Sequence, residues 1–147
     1  MSAKIIDGKA IAERVRADVR KKAEAFAAKK GRGVGLAVIL AGENPASKIY
    51  VRNKIKACED AAIKSFSYEL PAETPESKII EIVQALNEDK NIDGILVQLP
   101  LPEGVNEKRV LEHVAPHKDV DGFHAMNAGN LMLGNPCLAA CTPQGCI

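Results

Sequence analysis

A tyrosine and a lysine four residues apart are the clearest candidates for chemistry in this sequence. Tyr50 and Lys54 fall on a predicted helix that opens with Asn44 and Pro45, an N-cap followed by a proline at the first helical position. Helical spacing places both side chains, together with Ser47, on one flank near the helix start. Because this helix follows a buried strand, the flank lies where open parallel sheets bind ligands. The alternative is that Lys54 extends to solvent and Tyr50 covers the rim of the core.

Further polar residues are predicted at the same edge. Gln98 is the one polar residue in the apolar run 95–99 and falls at the end of a predicted strand. The alternative for Gln98 is a hydrogen-bonded amide without a role in chemistry. Asp119, Asp121 and His124 lie in a loop whose spacing does not match a calcium-binding EF-hand. For these residues the alternative to a ligand site is an Asp-Gly turn.

The cysteines and histidines do not predict a metal centre. No two cysteines form a C-x-x-C pair, and structural zinc sites usually show such closely paired ligands. We therefore expect no metal, and reduced thiols of the kind found in the cytosol. The residues concerned are Cys58, Cys137, Cys141, Cys146, His113, His117 and His124.

Helical and strand patterns alternate along the chain. The predicted strands 35–40, 64–70 and 93–99 begin 29 residues apart, which is the length of one strand–helix unit with its connections. This alternation predicts an α/β fold: a three-layer domain with a mostly parallel sheet and helices on both faces.

Capping residues mark where the predicted helices begin. The first helix runs from Asp7 to about Lys30 and buries one apolar face. The second runs from 45 to about 62, the third opens at Thr74–Pro75, and a short fourth helix follows Asn106. The apolar face of the first helix consists of Ile11, Val15, Val19 and Phe26.

The last thirty residues carry a weaker pattern. Nothing after Pro116 is strongly periodic, so we predict loop and a short strand there. Thr142 and Pro143 form another helix-start signal close to the end of the sequence. An isolated helix needs about 12–15 residues, so this signal favours a longer natural chain.

Composition and charge exclude several classes of protein. With 147 residues, the chain is expected to form one domain. A net charge of +1 and 3% aromatic residues without tryptophan argue against a nucleic-acid partner. We expect no membrane partner, since no segment approaches the ~18 apolar residues of a span. The amino terminus lacks the apolar segment of a secretory signal, which favours the cytoplasm.

The glycine-rich segment Gly31–Gly35 does not fit a nucleotide-binding loop. It precedes its strand, whereas the phosphate-binding loop of a dinucleotide site follows one. We interpret the segment as a helix end and a turn, and we predict no cofactor-binding residues in this chain.

Four segments of the sequence carry a family resemblance. They are 47–54 (Ser-Lys-Ile-Tyr-Val-Arg-Asn-Lys), 93–102 (Asp-Gly-Ile-Leu-Val-Gln-Leu-Pro-Leu-Pro), 118–124 (Lys-Asp-Val-Asp-Gly-Phe-His) and 141–145 (Cys-Thr-Pro-Gln-Gly). Together they resemble bifunctional methylenetetrahydrofolate dehydrogenase/cyclohydrolase, over essentially the whole chain. That family continues into a Rossmann-type NADP-binding domain. The resemblance implies a folate-binding catalytic domain over 1–120 and a segment, 121–147, leading toward the NADP-binding domain.

The resemblance also implies two reactions of folate one-carbon metabolism in one cleft. With NADP as cofactor, 5,10-methylenetetrahydrofolate is oxidised to the 5,10-methenyl cation. Water then converts this cation to 10-formyltetrahydrofolate. A homodimeric, cytoplasmic enzyme whose product serves purine biosynthesis is implied as well.

By the same resemblance, specific residues take specific roles. Lys54 is the catalytic acid/base, and Gln98 hydrogen-bonds it. Tyr50 packs on the folate, and Asp121 anchors the pterin ring. The implied substrate-binding set is completed by Ser47, Val97 and Leu99.

Two other kinds of function stand as alternatives. One is a folate-binding module without turnover, and the other is an α/β module that acts only in subunit association. Binding of a folate analogue separates the first from the second, and turnover separates an enzyme from both.

Overall fold

The computed structural model describes residues 5–146. Strands and helices alternate up to residue 98, and three helices follow. The elements are α1 (Gly8–Lys30), β1 (Val34–Ala41), α2 (Pro45–Asp60), β2 (Ile63–Leu70), α3 (Glu76–Glu88), β3 (Gly94–Gln98), α4 (Glu107–Glu112), α5 (Ala125–Leu133) and α6 (Cys141–Cys146).

The three strands form one parallel sheet in the order β2–β1–β3. Each strand agrees with the predicted strand to within one residue at both ends. Leu40 of β1 pairs with Gln98 of β3, so the carboxyl ends of these two strands lie side by side. A parallel bridge between Ile95 and Asp119 adds a short segment beside β3, consistent with the short strand predicted after Pro116.

Helices cover both faces of the sheet, which confirms the three-layer α/β prediction. On one face, Ile39 packs in a cluster with Val83 of α3 and Val110 of α4. On the other face, Val38 packs with Val51 of α2. Strands buried on both faces read as continuous apolar runs, and this explains why β1 and β3 were predictable.

The long first helix is less buried than its sequence predicts. Ile11 and Val15 are 40% and 55% exposed, whereas Ala23 is buried. A 23-residue helix spans about 35 Å, but the eight-residue β1 spans only about 26 Å. The difference of about 9 Å corresponds to about six residues at the amino-terminal end of α1, which extend past the sheet. Neither α1 nor any other helix within residues 5–146 is long and apolar enough to cross a bilayer.

Three of the five predicted helix starts are confirmed. Asp7 accepts a hydrogen bond from Ala10 N at 3.0 Å, and Asn106 and Asn44 cap α4 and α2 in the same way. The prediction for α3 is wrong in detail: Thr74 lies in a turn, and the cap position is taken by Pro75, which makes no side-chain hydrogen bond.

The prediction of loop after Pro116 is wrong over residues 125–133. This segment forms α5, and its cap is His124, whose Nδ1 accepts from Met126 N at 3.0 Å. Asparagine and glycine inside the segment lower its helical propensity, so the tertiary contacts decide its structure. The last helix, α6, begins at Cys141, so that Thr142 lies inside the helix and not at its cap.

Candidate active site

A hydrogen bond between Lys54 and Gln98 forms the centre of the candidate site. Lys54 Nζ donates to Gln98 Oε1 at 3.1 Å, which joins the middle of α2 to the last residue of β3. Gln98 Nε2 donates to Leu99 O at 2.6 Å. This second bond orients the amide so that its oxygen faces the lysine. Two residues predicted from separate helix and strand patterns therefore meet.

Ser47 and Tyr50 have contrasting environments at the start of α2. Asn44 Oδ1 accepts from Ala46 N at 3.0 Å and from Ser47 N at 3.1 Å, which fixes the helix start. Ser47 is 2% exposed, whereas Tyr50 is 61% exposed. The tyrosine ring is therefore accessible near the carboxyl edge of the sheet. Contact of the Ser47 side chain with a substrate stays a prediction.

Val97 and Leu99 flank Gln98 but face the opposite layer. Successive strand side chains alternate between faces. Val97 is 3% exposed and lies in the cluster with Ile39, and Leu99 packs against the same cluster. Gln98 is thus directed toward α2, while its neighbours point toward α3 and α4. Their implied role in lining a folate site stays a prediction.

Asp121 ends the segment that runs beside β3. Ile95 N donates to Lys118 O at 2.7 Å, so this parallel segment leads from Lys118 toward the carboxyl edge. Asp121 is half-buried. Burial raises the pKa of its carboxyl, the charge of Lys54 opposes this rise, and the charge of Asp119 adds to it. The carboxylate therefore lies in the electrostatic field of the lysine.

Lys118 is a supporting residue that the sequence analysis missed. Its side chain is buried, and Nζ donates to the carbonyl oxygens of Leu86, Asn87 and Asp89 at 3.0, 2.7 and 2.9 Å. These bonds satisfy carbonyls at the carboxyl end of α3 and hold the segment that leads to Asp121. No sequence signal reveals this role, because the partners are backbone atoms brought close only by the fold.

A second charged cluster lies at the opposite, amino-terminal edge of the sheet. Arg32 donates to both carboxylate oxygens of Asp93 at 2.7 and 2.8 Å, and Gly35 N donates to Asp93 at 2.9 Å. The guanidinium lowers the pKa of the Asp93 carboxyl. Gly31, with a φ of 71°, ends α1 as predicted.

The described residues do not group into a metal site. Within residues 5–146, no three His, Cys, Asp or Glu side chains lie close enough together to hold an ion. Cys58 is buried, and burial raises the pKa of its thiol. Cys141 and Cys146 are exposed.

The carboxyl edge combines the groups that acid/base chemistry needs. A lysine amine held by a neutral amide oxygen can accept or deliver a proton. The nearby Asp121 carboxylate can accept hydrogen bonds from a ligand, and the Tyr50 ring can stack on one. Fold and site together define an α/β domain whose candidate site lies beyond the carboxyl ends of its parallel strands, where open sheets of this kind bind ligands.

Comparison with known families identifies the domain. A family model described as the catalytic domain of tetrahydrofolate dehydrogenase/cyclohydrolase matches residues 6–121. The chain belongs to this family, which confirms the resemblance found in the sequence. The matched range begins before α1 and ends at Asp121.

Solved structures agree with this assignment. The bifunctional methylenetetrahydrofolate dehydrogenase/cyclohydrolase of Campylobacter jejuni is 43% identical with a TM-score of 0.90, and the match covers 95% of this chain and 49% of that one. A methylenetetrahydrofolate dehydrogenase of the silkworm Bombyx mori is 37% identical with a TM-score of 0.90, over 95% and 48%. The Trypanosoma brucei enzyme, solved with NADP and an inhibitor, is 34% identical with a TM-score of 0.84, over 89% and 45%. The chain spans about half the length of these relatives.

Proposed function

We propose that this chain is the folate-binding catalytic domain of a bifunctional methylenetetrahydrofolate dehydrogenase/cyclohydrolase. The observation that carries the proposal is the 3.1 Å hydrogen bond from Lys54 to Gln98 at the carboxyl edge of the sheet. Family membership and the dehydrogenase/cyclohydrolase titles of the similar structures support it. The substrate would be 5,10-methylenetetrahydrofolate, and the product 10-formyltetrahydrofolate.

Hydrolysis of the methenyl cation can be derived from residues of this chain. Water attacks the methenyl carbon and must lose a proton as the new C–O bond forms. The Lys54 amine accepts this proton and returns it to the folate nitrogen whose bond to that carbon breaks. The second proton of the water leaves the hydroxyl oxygen as the formyl C=O forms, so one water is consumed and one proton is released. Gln98 holds the amine in place through its hydrogen bond to Nζ.

Substrate binding is assigned to Asp121 and Tyr50. One edge of a pterin ring presents adjacent N–H donors, and a carboxylate that accepts them forms strong, selective bonds. Asp121 is half-buried near Lys54, so it can take this role. The exposed Tyr50 ring offers an aromatic face to the flat pterin or aryl group. We assign Ser47, Val97 and Leu99 to the surrounding wall.

We assign the NADP site to a part of the enzyme outside the described residues. The Trypanosoma brucei relative was solved with NADP, and this chain covers 45% of it. The glycines of Gly31–Gly35 end a helix and enter a strand, so they do not fit a dinucleotide. On this proposal, 1–120 is the folate-binding part, and 121–147, which begins with the substrate-binding Asp121, leads toward the NADP-binding domain. A cytoplasmic homodimer that serves purine biosynthesis is part of the same proposal.

Replacement of the lysine tests the proposed function directly. We expect Lys54→Met to lower kcat for methenyltetrahydrofolate hydrolysis by about 100-fold or more, the usual contribution of an acid/base residue. Binding of folinate (5-formyltetrahydrofolate), measured by calorimetry, should change little, because Asp121 and Tyr50 remain. Loss of the methenyl chromophore reports the rate.

Lys56→Met is the matched control, because Lys56 lies on the exposed face of the same helix. It should hydrolyse at the normal rate. Near-normal hydrolysis by Lys54→Met would rule out the acid/base role. A parent chain that binds folinate but never hydrolyses the cation would favour the binding-module alternative, and one that does neither would favour subunit association.

A further inference from the structure

The helix α5 carries a buried polar side chain that contacts the segment leading to Asp121. Asn127 is 4% exposed, whereas its neighbour Met126 is 58% exposed. Asn127 Nδ2 donates to Pro116 O at 2.8 Å and to Asp119 Oδ2 at 3.0 Å. One amide therefore connects α5 to two points on the segment that leads to Asp121.

Asp119, the residue that accepts from Asn127, is itself buried. It is 3% exposed, and its Oδ2 also accepts from His124 N at 2.8 Å. A buried carboxylate requires such donors. Gly122 N donates to Asp119 O at 3.2 Å. Residues 119–127 thus form a closed loop around one carboxylate, and Asp121 lies within this loop.

Asp121 itself has no such anchor. Within residues 5–146, no group hydrogen-bonds its carboxylate, and no unpartnered side-chain oxygen there is fully buried. Its oxygens therefore reach the surface, where a ligand can approach. The backbone of the loop sets their direction, and the adjacent Gly122 packs closely on residues 138–140: a Cβ at Gly122 would lie 2.6 Å from Leu138 O.

We propose that Asn127 is a positioning residue for the substrate-binding carboxylate of Asp121. The Asn127 amide hydrogen-bonds the Asp119 carboxylate and fixes the loop. Asp121 is therefore the carboxylate that remains available to the pterin ring. This proposal rests on the proposed function, because it assigns Asp121 to folate binding. Asn127 acts through the loop and contacts no reacting atom.

Alanine substitution separates positioning from a merely structural role. Loss of one hydrogen bond typically changes an equilibrium by about 3- to 10-fold, and we expect Asn127→Ala to raise the Kd for folinate and the KM for methenyltetrahydrofolate by this factor. The kcat should stay within about twofold, because Lys54 and Gln98 lie on α2 and β3. A general loss of folded protein would instead lower kcat and leave KM unchanged. Asn130→Ala, one turn along α5, is the control and should change neither constant.

A double-mutant cycle tests whether Asn127 acts through Asp121. Asp121→Ala alone should raise the Kd by about 10- to 100-fold, the scale of a hydrogen bond to a charged group. In that background, Asn127→Ala should have no further effect on Kd. If Asn127→Ala does not fold, Asn127→Ser, which keeps one donor, enters the same cycle.

The outcomes distinguish the two proposals. Weak binding by Asp121→Ala with a normal Kd for Asn127→Ala would overturn the positioning role and leave the proposed function standing. Additive effects in the double variant would also overturn it. Failure of the parent chain to bind folinate would contradict the proposed function itself.

Discussion

The two edges of the parallel sheet use charged residues in opposite ways. At the amino-terminal edge, Arg32 and Asp93 form a bidentate ion pair, and Gly35 N donates to the same carboxylate. At the carboxyl edge, Lys54 is held by a neutral amide, and the nearby Asp121 carboxylate has no hydrogen bond within residues 5–146. In the first cluster the opposite charges are paired with each other, whereas the second cluster keeps groups available for a ligand.

The pKa shifts follow this difference. The pKa of Asp93 is lowered, chiefly by its hydrogen bonds with Arg32. The pKa of Asp121 is raised, chiefly by burial without a sufficient partner. Folding therefore favours the charge of Asp93 and disfavours that of Asp121. Perturbed groups of the second kind cluster at functional sites, which supports the assignment of chemistry to the carboxyl edge.

The largest effect on stability is expected at Lys118. Its side chain holds the start of segment 118–121, which runs beside β3 from the amino-terminal edge of the sheet to the carboxyl edge. Lys118→Met would remove three hydrogen bonds to carbonyls at the end of α3. We expect the free energy of unfolding to fall by about 2–4 kcal/mol, since buried carbonyls would lose their donors. Urea denaturation followed by circular dichroism measures this change.

The control for this prediction is Lys78→Met, which removes an exposed lysine from α3, the helix whose last carbonyls accept the hydrogen bonds of Lys118. Its ion pair with Glu81 involves side chains that are 53% and 67% exposed, and such pairs contribute less than about 1 kcal/mol. Equal denaturation midpoints for Lys118→Met and the parent chain would show that water replaces the ammonium without loss.

The sequence predicts the strands and helix starts better than the residues that hold the candidate site in place. The strands and the cap at Asn44 were predictable because buried parallel strands and helix starts have local signals. Gln98 was predictable as a polar residue in an apolar strand. Lys118 and Asn127 were not, because their partners are distant in sequence or belong to the backbone. The helix α5 was missed for a related reason: its residues have weak helical propensity, and buried contacts such as those of Asn127 hold it in place.

A medium effect is expected at the amino-terminal edge. Asp93→Asn should lower the Tm by about 3–6 °C at neutral pH, since a charge-assisted pair is lost. Because the folded-state pKa of Asp93 lies below its ordinary value of 3.8, its contribution is fully present above that value. It disappears as the pH falls through the folded-state pKa. The difference in Tm between parent and variant should therefore be constant near neutrality and shrink in acid.

Glu24→Gln provides the comparison for Asp93→Asn, because Glu24 pairs with Arg20 on the surface, with side chains 57% and 55% exposed. We expect almost no change in its Tm. A Tm difference for Asp93→Asn that grows as the pH is lowered would contradict the direction of its pKa shift.

The smallest effect, with the opposite sign, is expected at Asp121. Its folded-state pKa lies above the ordinary value of 3.8 because burial and Asp119 disfavour the charge. The ionised carboxylate therefore destabilises the fold at neutral pH, and this penalty vanishes as the pH falls through the folded-state pKa.

Asp121→Asn should raise the free energy of unfolding by about 0.5 kcal/mol at neutral pH, a gain typical of relieving strain at a functional site. The gain should be absent below the ordinary pKa, whereas folinate binding should be weaker than that of the parent chain at neutral pH. Urea titrations at neutral and acidic pH, paired with calorimetry, measure both quantities. A variant less stable than the parent at neutral pH would show that Asp121 supports the fold, as Asp93 does, and would remove the contrast between the two edges.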